Sequence, residues 1–254
     1  MYPIEKRIPN LLTFTNLFCG FVAIASSLAG DLVLAGWMIL FAATADLFDG
    51  LAARLLNAQS AIGAQLDSLS DMVSFGVAPA LLAYMLLIKT HAGFIDSIYL
   101  YEVPLFALIA FLLLAASAYR LAKFNVKNGS DADFHGLPTP ANAIFFASLP
   151  LMLQYQVFVV KFDIYSISDL VLSPYFIIGS ILLLSWLMIS NIPMFSLKLS
   201  NFKGGKAKII ISFISLSVLL FVFLIWAAIP LIILLYVIFS LFTKNTRHEI
   251  QSAD

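Results

Sequence analysis

Charge is what this chain has least of. Of its 254 residues, 11% are Asp, Glu, Lys or Arg, while 62% are hydrophobic, and the mean hydropathy is +1.00. A soluble domain draws about a quarter of its residues from the charged set. This chain has too few to cover a compact globule, so its solvent is lipid. Fourteen basic residues balance fourteen acidic ones, which removes the bulk cationic field that would point to nucleic acid. The single cysteine, Cys19, excludes an internal disulfide and a cysteine-rich metal site. In its apolar run it reads as a small buried thiol. Of three histidines, His91 falls on the outer face and His248 in a polar tail, while His135 reads as structural more readily than as a substrate contact. No low-complexity tract, second soluble domain or internal repeat is visible. The first apolar segment lacks a small-residue cleavage site and reads as a retained span.

What the chain does have is long apolar runs. A crossing takes about 20 residues for about 30 Å of hydrocarbon. Segments near 11–29, 32–52, 68–88, 103–122, 140–160, 171–190, 209–226 and 229–243 therefore predict eight crossings in an all-α polytopic membrane protein. A membrane β-barrel would show short alternating segments instead. Only Ala227 and Ala228 separate the last two, with Pro230 just beyond, so they form either a tight helical hairpin or one long kinked stretch. The whole of 1–254 reads as one integral-membrane catalytic domain. Residues 1–10 form a short interfacial lead-in and 244–254 a polar cytosolic tail.

Basic residues orient the bundle. With eight crossings and a cytosolic N-terminus, the inner side receives Lys6, Arg7, Arg54, Arg120, Lys123, Lys127, Lys198, Lys203, Lys206, Lys208, Lys244 and Arg247. The outer side receives Lys89 and Lys161. Such a bias places both termini inside. Three polar segments, Asp46 to Asp71, Arg120 to Pro140 and Asn191 to Lys208, then share the cytosolic face. Polar loops on one face can close over one site.

The first of these segments carries the chemistry. Asp46 and Asp49 are three apart, and Asp67 and Asp71 four apart, so each pair shares a helix face. Leu55 to Ile62 is long enough to turn the chain and bring the second pair against the first. Gly50, Ala53 and Gly63 add almost no bulk beside them. Four like charges at the edge of a low-dielectric slab must be protonated in part or held by cations. Oxygen ligands with no nearby His or Cys favour Mg²⁺ or Mn²⁺ over zinc. Ions of this kind typically bridge to phosphates, and Arg54 is placed to hold one through its planar donor fork. A cation or proton path is the alternative reading of membrane carboxylates, although such paths usually run nearer mid-bilayer.

The spacing Asp-x2-Asp-Gly-x2-Ala-Arg-x8-Gly-x3-Asp-x3-Asp resembles the motif of the CDP-alcohol phosphatidyltransferases. Asp46, Asp49, Gly50, Ala53, Arg54, Gly63, Asp67 and Asp71 meet it without departure. Further stretches resemble the membrane-embedded phosphatidylserine synthases of that family. They are RIPNLLTFTNLFCG from Arg7, DMVSFGVAPA from Asp71, SAYRLAKFNV from Ser117, FHGLPTPAN from Phe134 and SNIPMFSLK from Ser190. In the last, Met194 and Phe195 stand where a more Tyr- and Pro-rich sequence is usual. The resemblance covers roughly residues 1–200.

The resemblance implies a helical bundle in the cell (inner) membrane with its site on the cytosolic side. It implies two divalent ions, Mg²⁺ or Mn²⁺, held by Asp46, Asp49, Asp67 and Asp71, with Asp71 also the general base. Gly50, Ala53 and Gly63 would make room for the cytidine nucleotide of the donor, and Asp46 and Arg54 would help hold it. The reaction implied is phosphatidyl transfer from CDP-diacylglycerol to the L-serine hydroxyl, releasing CMP, in a homodimer among membrane phospholipids and without nucleic acid. For the acceptor, Arg120 is the cation expected at the serine carboxylate, with Lys123 and Asn125 beside it; each also reads as an ordinary polar or topology residue. Thr139 and Asn142 follow the Pro138–Pro140 turn, expected to set a loop over the site. Another acceptor, glycerol 3-phosphate or an inositol phosphate, is the nearest rival, and a cation-coupled transporter the rival of a different class.

Overall fold

A computed structural model describes residues 7–58, 60–90, 99–100, 103–126, 135–155, 164–194 and 205–251. Ten α-helices account for nearly all of this. They are α1 (Arg7–Leu28), α2 (Leu32–Leu55), α3 (Ala61–Asp71), α4 (Ala78–Lys89), α5 (Phe111–Val126), α6 (Thr139–Gln154), α7 (Ile164–Val171), α8 (Pro174–Ile189), α9 (Gly205–Leu224) and α10 (Ala228–Gln251). A π-helical turn, Met72–Val77, joins α3 to α4, and 3-10 turns precede α5 and α10. A two-residue antiparallel pair, Tyr99–Leu100 with Val103–Pro104, is the one sheet among the described residues.

Each helix buries one stripe and offers the rest to lipid. On α1, Ala23 is buried while Leu11, Phe14, Phe18 and Phe21 are exposed. A continuous core links Ile39, Phe75, Leu82, Phe146, Leu149, Ile177 and Ile181 across α2, the π-helical turn, α4, α6 and α8. Burial of Cys19 agrees with the sequence reading. Small residues set the close approaches, as they do where lipid supplies no hydrophobic drive between helices. A Cβ on Gly20 would run into Ser74 Oγ, and one on Gly36 would stand 2.7 Å from the Ala147 carbonyl. Thus Gly20 admits the π-helical turn and Gly36 admits α6. Gly30, with φ +85, makes the turn between α1 and α2 and has open space around it.

Five helical stretches are long and apolar enough to cross a membrane by length and composition: Ile8–Leu28, Leu32–Leu55, Ala61–Lys89, Leu105–Val126 and Ile210–Leu241. The sequence led us to expect eight. The 16-residue helices α6 and α8 reach only about 24 Å at 1.5 Å per residue, short of the hydrocarbon thickness. The expected crossing at 140–160 also runs past Tyr155 into residues outside those described. The last stretch reverses direction at the 3-10 turn Ile225–Ala227. Phe213 on α9 lies with its ring centroid 6.0 Å from that of Tyr236 and 5.9 Å from that of Phe239 on α10. In a straight helix Phe213 and Tyr236 would be about 35 Å apart. Ile225, at φ 46, marks the reversal. Of the two sequence alternatives, the hairpin is the one observed.

Residues 1–6 of the expected lead-in lie outside the described residues, and Arg7 to Asn10 already belong to α1. The expected tail continues α10 as far as Gln251. Lys6, His91, Lys127, Phe134, Lys161, Lys198 and Lys203 also lie outside the described residues.

Candidate active site

The four aspartates come from two consecutive helices. Asp46 and Asp49 lie on the last turns of α2, and Asp67 and Asp71 close α3. After α2, Asn57 lies in the left-handed region at φ 49, where Asn is among the tolerated residues. Ser60 then N-caps α3, its Oγ accepting from the Gly63 amide at 3.0 Å. A Cβ on Gly63 would meet that Oγ at 2.9 Å and Asn10 Oδ1 at 3.3 Å. Gly63 thus fits α3 to its cap and to α1. On the other side, a Cβ on Gly50 would find nothing nearer than Arg54 Nη2 at 4.0 Å. Space beside Gly50 is open, and the guanidinium of exposed Arg54 borders it.

One ligand oxygen each from Asp46, Asp49 and Asp67 can lie within 4.8 Å of one another. Asp71 adjoins this triad: its carboxyl is within hydrogen-bonding reach of Asp46 and within electrostatic reach of Asp67. Asp67 Oδ1 is buried with no hydrogen-bond partner among the described residues. An oxygen-only set with an unpartnered buried carboxylate oxygen suits a hard divalent cation.

Helix α1 holds two of these carboxylates. Thr13 Oγ1 donates to Asp49 Oδ2 at 2.8 Å, and Asn16 Nδ2 donates to Asp71 Oδ1 at 3.1 Å. Ser70 Oγ donates to the Thr13 carbonyl at 3.1 Å and Ser74 Oγ to the Asn16 carbonyl at 3.0 Å. Thr13, Asn16, Ser70 and Ser74 are all buried. Thr13 and Asn16 are site residues that sequence reasoning misses. Their signal was present: two polar residues three apart on one face of an apolar run, continued by Gly20.

Arg120, toward the end of α5, approaches from the other side. It lies within electrostatic reach of Asp71 and of Tyr236 on α10. Its Nη1 donates to Thr139 Oγ1 at 3.5 Å, at the start of α6, and its Nε is buried without a partner among the described residues. The backbone of 135–137 anchors this end of α6. Gly136 N donates to the Ile192 carbonyl at 2.9 Å and Leu137 N to the Leu187 carbonyl at 3.0 Å. Gly136 has φ +75, and a Cβ there would stand 2.5 Å from the Met188 carbonyl, so glycine is required. Lys123 and Asn125, expected beside Arg120, have hydrogen-bond partners of their own. Lys123 Nζ donates to Asn191 Oδ1 at 3.1 Å, and exposed Asn125 donates through Nδ2 to Ser68 Oγ at 2.8 Å. The structure brings Arg120 within electrostatic reach of Asp71 and leaves Lys123 and Asn125 bonded to neighbours nearer the surface. Exposed His135 pairs through its backbone with Pro193.

Fold and site together define a polytopic, all-α membrane protein with a carboxylate cluster suited to metal-assisted chemistry on an anionic substrate. Residues 6–171 match the CDP-alcohol phosphatidyltransferase family, and the chain belongs to that family. It is 38% identical to the CDP-diacylglycerol–serine O-phosphatidyltransferase of Bacillus subtilis over 134 residues, 52% of this chain and 69% of the relative. With the enzyme of the same name from Helicobacter pylori it shares 32% identity over 200 residues, 78% of this chain and 73% of the relative. It is also 33% identical to the archaetidylserine synthase of Methanothermobacter thermautotrophicus over 168 residues, 65% of this chain and 67% of the relative. Transferase activity of the family is thereby supported, with Asp46, Asp49 and Asp67 as its acidic triad.

Proposed function

We propose that the protein transfers a phosphatidyl group from CDP-diacylglycerol to the hydroxyl of L-serine, releasing CMP. The observation that carries this reading is the meeting of four carboxylates from α2 and α3, with half-buried Arg120 within electrostatic reach on the Asp71 side. The names of the relatives support serine as the acceptor. In this reading Asp46, Asp49, Asp67 and Asp71 hold two divalent ions, Mg²⁺ or Mn²⁺. When bound, such ions neutralise charge on the donor pyrophosphate. The open side of Gly50, with Ala53, takes the cytidine nucleotide, and Arg54 borders its phosphates.

The chain's own residues do the remaining work. Arg120 pairs with the serine carboxylate through its donor fork, which points the serine hydroxyl toward Asp71. A serine hydroxyl is a poor nucleophile at neutral pH. Asp71 accepts its proton as the oxygen forms a bond to the lipid-bearing phosphorus. The bond from that phosphorus to the bridging oxygen breaks, and CMP leaves with the electron pair. Asn16, by occupying one Asp71 oxygen, fixes which lone pairs face the acceptor. Lys123 and Asn125 stand at the pocket's surface edge and meet the acceptor on entry. The proposal includes placement in the cell (inner) membrane, both termini and the site on the cytosolic side, and a homodimer; the basic-residue bias supports the orientation and the resemblance supports the dimer.

The test is CMP release by the purified protein in lipid or detergent, with CDP-diacylglycerol and Mg²⁺ or Mn²⁺. L-serine is compared with glycerol 3-phosphate, an inositol phosphate and no acceptor. Serine-dependent release that falls at least about 10²-fold in Asp71→Asn is expected. Release with a phosphorylated alcohol alone would overturn serine, and no release from folded protein with any acceptor would favour cation transport.

A further inference from the structure

Asn142 lies one turn into α6, fully buried, and neither atom of its carboxamide has a hydrogen-bond partner among the described residues. A buried amide left unpaired in this way costs free energy in the empty protein, and such groups are rare. Thr139, three residues earlier and on the same helix face, is the residue that receives Arg120 Nη1. Arg120 Nε is likewise buried and without a partner among the described residues. One corner of the bundle therefore holds an unpaired donor on Arg120 together with an unpaired donor and acceptor on Asn142. Asp71 lies within electrostatic reach of the same arginine.

The mixture is informative. A pocket for a phosphorylated alcohol needs donors and cations, and a carbonyl acceptor would face the phosphate with the wrong polarity. A pocket for a zwitterion needs both polarities within a few ångströms, and a carboxamide offers both. We propose that Asn142 is a specificity-determining residue of the acceptor pocket. Its Oδ1 accepts from the ammonium of the amino-acid acceptor, and its Nδ2 and Arg120 donate to the carboxylate. This inference rests on the amino-acid acceptor proposed above and adds how that acceptor is told from a simple alcohol.

The test uses Asn142→Leu, close in volume and without polarity, with Asn142→Ala as a second variant should leucine fit poorly. Acceptors are L-serine and 3-hydroxypropionate, which lacks the ammonium. We expect the KM for L-serine to rise about 10- to 100-fold, as when a hydrogen bond to a charged group is lost. The KM for CDP-diacylglycerol should stay within about threefold, and the preference for L-serine over 3-hydroxypropionate should shrink by a similar 10- to 100-fold. Because leucine removes unpaired polar atoms, the thermal midpoint of the acceptor-free protein should hold or rise. A lowered midpoint with an unchanged acceptor preference, in both variants, would overturn the proposal and leave Asn142 a structural residue. Wild-type protein that releases CMP only with a phosphorylated alcohol would instead overturn the amino-acid acceptor, and this inference with it.

Discussion

Thr13 and Asn16 are neutral and buried, and each fixes one oxygen of an aspartate that a divalent ion would need. Carboxylates held in this manner lose about 10- to 100-fold in metal affinity or activity when the supporting bond is removed. Thr13→Val should raise the Mg²⁺ or Mn²⁺ concentration for half-maximal CMP release by about tenfold, and Thr13→Ser should restore it. Asn16→Ala should act mainly on kcat, lowering it about 10- to 100-fold with the donor KM little changed. Metal titrations and initial rates of the variants check both, and equal effects on every parameter would mark a merely structural role. At this scale the sequence was informative about charge and poor about neutrality. The aspartates stand out because four carboxylates near lipid demand an explanation. A threonine and an asparagine in an apolar helix do not, since either can satisfy itself on its own backbone, as Thr13 would by turning its one hydroxyl hydrogen from Asp49 to the Pro9 carbonyl 3.1 Å away.

Among the elements, the π-helical turn Met72–Val77 is the least expected from sequence. It follows Asp71 directly, carries the fully buried Phe75, and lets Ser74 reach α1. Wide turns of this kind recur at functional sites, yet no local pattern announces one, because tertiary contacts select it. Gly20 is the other half of that contact. A Cβ there would run into Ser74 Oγ and stand 2.9 Å from Ser74 Cα. Gly20→Ala should therefore destabilise by about 1–3 kcal/mol, and a second change, Ser74→Gly, should not fully relieve it because the backbone atom remains. Gly179, with open space around it, provides the control: Gly179→Ala should be neutral or stabilising by up to about 1 kcal/mol. Thermal unfolding in one detergent compares the three. Helices themselves were legible from apolar run length. Their breaks were less so: Ala227 and Ala228 between two apolar runs suit a kink and a hairpin equally, and ring packing around Phe213 decides between them.

For the molecule as a whole, the basic-residue bias predicts which end of the bundle faces the cytosol. In a Cys19→Ala background, Leu55→Cys marks the end of α2 beside the aspartates, and Asp31→Cys marks the opposite end. A membrane-impermeant maleimide should label Asp31→Cys in intact cells and Leu55→Cys only after permeabilisation; the reverse pattern would invert the orientation. Across the chain, the four aspartates and the α1 residues that hold them fall within one unbroken stretch, from Thr13 to Asp71. Arg120, Thr139, Asn142 and Tyr236 are drawn from three later helices, α5, α6 and α10. The two parts of the site thus come from separate stretches of the chain. On the function proposed above, substitutions after Asp71 would reshape the corner around Arg120 and leave the carboxylate scaffold intact, so the choice of alcohol would change without rebuilding the nucleotide site.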